Sequence, residues 1–120
     1  MYCYLTIRSD EAYSKPVDTA ELTRLLVSMP ELRQTGPAAF EAALGMPWTS
    51  VMLAMAGPDG NYATSDTPPP SINVIELICS GTEDTSWHEA LARRIAAALN
   101  WQAIEERENR HLWPTGELRA

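Results

Sequence analysis

The first eight residues place the tightest constraint on this chain. Cys3, Leu5 and Ile7 alternate with Tyr2, Tyr4, Thr6 and Arg8, a period of two that fits an extended strand and not a helix. The first set is expected to face a core. The second is expected to face solvent, a neighbouring layer or a partner. Two later stretches make the same demand. Between Trp48 and Ala56, Val51, Leu53 and Met55 lie on one side and Met52, Ala54 and Ala56 on the other, so both faces call for cover. From Ile72 to Cys79, Ile75, Leu77 and Cys79 oppose Val74, Glu76 and Ile78.

Between these strands the period changes to that of a helix. Asp18 reads as an N-cap with Glu21 three residues on. Leu22, Leu25, Leu26 and Met29 then form one apolar stripe that ends at Pro30. A second helix is predicted from Ser86, paired with Glu89 as a capping box. Its stripe is Trp87, Leu91, Ile95, Ala98 and Leu99, and Asn100 closes it. Residues 31–47 are ambiguous. Leu32 to Thr35 fits a short strand, and a weak strand is assigned near Phe40. Trp101 to Glu106 reads as a strand with acidic exposed positions, followed by a short return strand, His111 to Trp113, before Pro114.

This order predicts an α+β fold: a two-layer sandwich of a mostly antiparallel sheet with two helices on one face, with a ferredoxin-like arrangement as the nearest common topology. One domain is expected over residues 1–114, with residues 115–120 as a frayed tail.

A chain of 120 residues is long enough to build a core without a metal or a disulfide. The two cysteines, Cys3 and Cys79, are expected to be buried thiols. A bond between them would need Cα atoms within about 7 Å. No Cys/His cluster has zinc spacing, so neither metal nor cofactor is expected. The opening residues read as a strand and not as a signal peptide, and no apolar run approaches the roughly 20 residues of a membrane span. The expectation is a cytoplasmic protein with no membrane partner. Abundant Ala and Arg with a single lysine, Lys15, suggest a GC-rich bacterial genome.

The formal charge of -7 argues against nucleic acid, whose phosphates require clustered Lys and Arg. Acidity suits a basic protein partner or simple solubility. Nucleophile elbows, phosphate loops, dinucleotide fingerprints and HExxH are all absent, so no catalytic residue is assigned. His88 is read as a surface histidine near a cap, with service as a neutral base as the alternative. His111 is read as structural, within reach of Glu105 or Glu106 across a turn.

The residues singled out for partner contact are carboxylates and aromatics. Glu105, Glu106 and Glu108 are read as an acidic rim. Glu76 is a charge inside an apolar strand, costly if covered; on an open face it would join Tyr2 and Tyr4 in a mixed aromatic and acidic surface. Asp59, Tyr62 and Asp66 lie in the Gly57-to-Pro70 connection, long enough to be a recognition loop. Of four tryptophans, Trp87 and Trp101 are expected in the core. Trp48 and Trp113 border prolines, where either could anchor an interface.

In size, acidity and lack of catalytic motifs the chain resembles the small inhibitors that bacteria keep beside secreted toxins, a resemblance that no defined residues carry. The expected function is non-enzymatic protein binding, in particular as an immunity protein that blocks a toxin. The alternatives are a small-molecule sensor or small enzyme with a pocket between the sheet and loop 57–70, and a homodimer.

Overall fold

The computed structural model describes residues 2–62, 67–80 and 84–114. The alternating N-terminal residues form β1, Tyr2–Arg8. A two-residue strand, β2 (Val17–Asp18), leads into α1, Thr19–Val27. Asp18 caps α1 as expected, its carboxylate accepting from the Ala20 and Glu21 amides. Next come β3 (Leu32–Gly36), β4 (Ala39–Ala42) and β5 (Thr49–Ala54). The predicted strand at 72–79 is split into β6 (Ser71–Ile72) and β7 (Val74–Ser80). The chain then forms α2 (Ser86–Leu99), β8 (Gln102–Glu105) and β9 (Arg110–Trp113).

Seven of these strands make one sheet in the order β3-β4-β5-β7-β1-β8-β9, and every neighbouring pair is antiparallel. β2 and β6 form a separate ladder. The fold is therefore mixed α+β, as its pattern of periods requires. Both helices pack against the sheet face that carries Leu5, Ile7, Val51, Ile75 and Leu77, and Leu22, Leu26, Leu91 and Ile95 complete that core. Each fully buried aliphatic side chain there contributes roughly 1.5–3 kcal/mol. No helix among the described residues is long and apolar enough to cross a membrane.

Several expectations are corrected. Cys3 and Cys79 are directly opposed in the β1–β7 register with Cα atoms 5.2 Å apart, and they form a disulfide where buried thiols were expected. Two cysteines on the core faces of separate strands become neighbours once those strands pair, which no single-strand pattern reveals. α2 is capped differently too. Ser86 is its first residue, Thr85 precedes it, and the Thr85 hydroxyl donates to Glu89 while Asp84 accepts from the Ser86 amide. Met55 lies beyond the end of β5 and is exposed. Asn100 closes α2 as expected, in the left-handed conformation at φ 58°.

The break between β6 and β7 is made by Asn73, a fully buried polar residue. Its side-chain amide donates to the carbonyls of Ala56 (2.8 Å) and Tyr13 (3.0 Å), and its side-chain oxygen accepts from the Ala56 amide (2.7 Å). Its backbone bonds Ser9 and Ala54. One residue thus ties the ends of β1 and β5 by its backbone, and the segments that follow them by its side chain, to the point where the chain leaves β6 for β7.

Truncation of Asn73 to alanine would strand three buried backbone groups, so Asn73→Ala is expected to cost roughly 2–4 kcal/mol in urea unfolding. The disulfide closes a loop with a sequence separation of 76. In the chain-entropy picture, the double variant Cys3→Ala/Cys79→Ala should lose about 4 kcal/mol, and the oxidised protein should show no reactive thiol in denaturant.

Candidate functional site

Pleating sends Tyr2, Tyr4, Thr6 and Arg8 to the sheet face opposite the helices. Register brings them level with residues of the neighbouring strands. Met52, Glu76, Thr6, Ile104 and His111 lie in one row across β5, β7, β1, β8 and β9. Ser50, Ile78 and Tyr4 form the next row, and Ser80 and Tyr2 the one beyond.

Loops cover one half of this face. Tyr13 and Tyr62 pack on Ala54, Ala56 and Val74 in a small second core. Tyr13 is delivered by a turn in which Asp10 accepts from the Ala12 and Ser14 amides and the Ser14 hydroxyl. The Ser14 bonds hold the Asp10 carboxyl below its usual range. The predicted turn at Gly57 is present, with the Gly60 amide donating to the Gly57 carbonyl. Gly60 has φ +85°, and a Cβ there would lie 3.1 Å from the Tyr13 hydroxyl oxygen, so glycine is required twice over.

The other half is open and aromatic. Tyr2 is 58% exposed, Tyr4 44% and Trp48 48%. The Tyr2 and Trp48 rings stand 5.8 Å apart. Leu44 and Met46, on the connection into β5, add exposed apolar surface.

At the border between the halves lies a polar cluster. The Thr6 hydroxyl is 2.5 Å from a Glu76 carboxylate oxygen and also bonds Glu106. Tyr62 hydrogen-bonds Glu76 from the loop side. Burial pushes the Glu76 carboxyl up to about 7; the charge and hydrogen bond of Glu106 push the same way, against bonds from Thr6 and Tyr62. Burial, then the Glu76 charge beside it, likewise raises the Tyr62 phenol to about 12. Beside the cluster, Thr6, Arg8, Tyr13, Ile104, Glu106 and Asn109 line an open cleft of about 220 Å³. Arg8 donates to Gln102 at 2.9 Å, and its guanidinium lies 5.9 Å from the centre of the Tyr13 ring.

Of the residues singled out from sequence, Tyr2, Tyr4, Trp48, Tyr62, Glu76 and Glu106 are brought together on this face. Glu105, Glu108, Trp113 and Asp59 are not. Glu105 is 5% exposed and is not part of a rim. It points to the helix side, accepts from the Arg107 and Glu108 amides and pairs with Arg110, so it builds the β8–β9 turn. Glu108 is exposed but paired with Arg110. Trp113 packs against the main core and is no exposed anchor. Asp59 is spent within its own turn on Asn61. Asp66 lies outside the described residues.

His88 is also corrected. It is buried, 2% exposed, with Nε2 3.1 Å from the Trp48 carbonyl oxygen, and so it braces the approach to β5. Thr6, Arg8 and Tyr13 were missed as site residues. The alternation of β1 already put Thr6 and Arg8 beside Tyr4, whereas Tyr13 carried no periodic signal.

The raised Glu76 carboxyl has a consequence for stability. Between about 4.5 and 7 the native state keeps a proton that the unfolded chain has released, so stability falls as pH rises through that window and levels off above it. The loss is on the order of 3 kcal/mol. Glu76→Gln should remove this slope, which urea unfolding at pH 4.5, 6 and 7.5 would measure against the parent protein. Among known proteins, no family model matches the chain and no curated protein is similar to it.

Proposed function

We propose that this chain is a non-enzymatic protein-binding domain that docks a basic partner on the open half of its sheet. The observation that carries this is the exposed cluster of Tyr2, Tyr4 and Trp48 on the face opposite the helices, with the exposed Glu106 carboxylate at its border. Aromatic side chains that lie exposed on a rigid sheet are suited to act as anchors. A net charge of -7 would speed encounter with a cationic surface. The finer reading is an immunity protein that occludes a bacterial toxin.

The expected cytoplasmic setting would keep Cys3 and Cys79 reduced. Their disulfide suits an oxidising compartment, and the encounter is proposed there. In fold, the inner strands β5-β7-β1-β8 with α1 and α2 support a ferredoxin-like reading, the β3–β4 hairpin and β9 being additions at either side.

A second function, binding of a small apolar ligand, is favoured by one observation. Ala38, Leu53, Ala54, Met55 and the Thr67-to-Pro70 segment enclose a groove of about 350 Å³ between the sheet and the long connection, within the size range of ligand sites.

Affinity capture of the tagged chain from its own organism separates the two. One stoichiometric basic protein is the expected result; a retained small molecule with no protein would favour the groove. With the partner in hand, Trp48→Ala should raise the dissociation rate about tenfold or more. Glu106→Lys should slow association and flatten its salt dependence. Kinetics unchanged by both variants would remove this face from consideration.

A further inference from the structure

The contacts around Thr6 leave a proton unaccounted for. Its hydroxyl oxygen bonds a Glu76 oxygen on one side and a Glu106 oxygen on the other. A threonine hydroxyl carries one hydrogen and can donate only once at a time. An ionised carboxylate only accepts, so two ionised carboxylates cannot both be satisfied by one hydroxyl. The arrangement closes if one carboxyl is protonated and donates to the Thr6 oxygen, while Thr6 donates to the other.

We propose that Glu76, Thr6 and Glu106 form a proton-controlled latch in which one proton shared by the two carboxyls holds the Glu106 side chain across Thr6, and its loss releases Glu106 to solvent and widens the cleft beside it. In the opening step the carboxyl O–H bond breaks, the proton passes to water, and two carboxylates remain with one hydroxyl hydrogen between them. Glu106 is the arm that moves, because it is exposed while Glu76 is held in β7. The turn itself stays in place, pinned by the Glu105 carboxylate.

Among the described residues, few groups face Glu76. Tyr62 bonds it from the 57–62 loop and Tyr13 lies close to Tyr62, while Met52 and Ile104 in the same row bring no charge. Arg8, which lines the same cleft, keeps its charge and is held by the neutral Gln102 amide and the Tyr13 ring. His111 ends the row, exposed on β9. Burial and the charge of Glu106 set the Glu76 carboxyl near 7, so the latch is closed in mildly acidic solution and open in alkaline solution. The latch goes beyond partner binding and does not depend on it.

Carboxyl carbon NMR of the full chain, titrated from pH 5 to 9, tests it. The Glu76 carboxyl should titrate near 7, and the signals of the Glu106 side chain, the Thr6 methyl and the Tyr62 ring should report that Glu76 step by shifting at the same midpoint. Glu106→Gln, at an exposed position, should lower the Glu76 midpoint by about one unit, a tenfold loss of proton affinity. Thr6→Val should abolish the shift of the Glu106 signals at the Glu76 midpoint. A Glu76 step below pH 5, a step that Glu106 does not share, or a midpoint unmoved in Glu106→Gln would each overturn the latch.

Discussion

The pairing of β1 with β7 decides what every other part of the sheet presents. With Leu5 opposite Leu77 and Ile7 opposite Ile75, the two central strands offer the helices one continuous apolar face. The same register sets Thr6 opposite Glu76 and Tyr4 opposite Ile78 on the other side. A one-residue slip of β7 would turn Glu76 into the core and Ile75 and Leu77 out of it. The Cys3–Cys79 bond crosses this pair at one end, and just beyond the other end the Ser9 amide donates to the backbone carbonyl of the buried Asn73. The central register is thus held covalently at one end and by a buried backbone hydrogen bond at the other.

Buried polar groups do the joining elsewhere as well. Glu105 receives two backbone amides and an arginine, and through Arg110 it connects the β8–β9 turn to Glu89 on α2. His88 reaches from α2 to the Trp48 carbonyl. Each stands where a loop meets the sheet, where ladder hydrogen bonds run out and the free backbone groups need partners.

How much of this was legible in the sequence follows the reach of each signal. β1, β5, β7, α1 and α2 all carry a period, and the expected elements were found there. The β2–β6 ladder is two residues long on each side and has no period to read. β3 and β4 carry one buried apolar residue each, Leu32 and Phe40, too few to tell a strand from a turn. At the candidate site, Tyr2, Tyr4 and Glu76 could be assigned to one face by alternation within strands. Glu105 was misread because the rule that puts neighbouring residues on opposite faces also means that only one of Glu105 and Glu106 can be outside. The disulfide, the Asn73 clamp and the meeting of Thr6 with Glu106 all join residues more than fifteen positions apart, and only tertiary pairing brings them together.

Glu76 has one more consequence, which concerns the chain before it folds. The run from Val74 to Cys79 is otherwise apolar and rich in β-branched residues, the composition of a segment that stacks on copies of itself. In the native sheet it is shielded by β1 and β5 on its two edges. In the nascent or unfolded chain that shelter is missing, and an ordinary ionised glutamate in mid-segment acts as a gatekeeper, repelling a second strand laid in register. The carboxyl whose charge the native fold disfavours would therefore be fully charged when its charge is most protective.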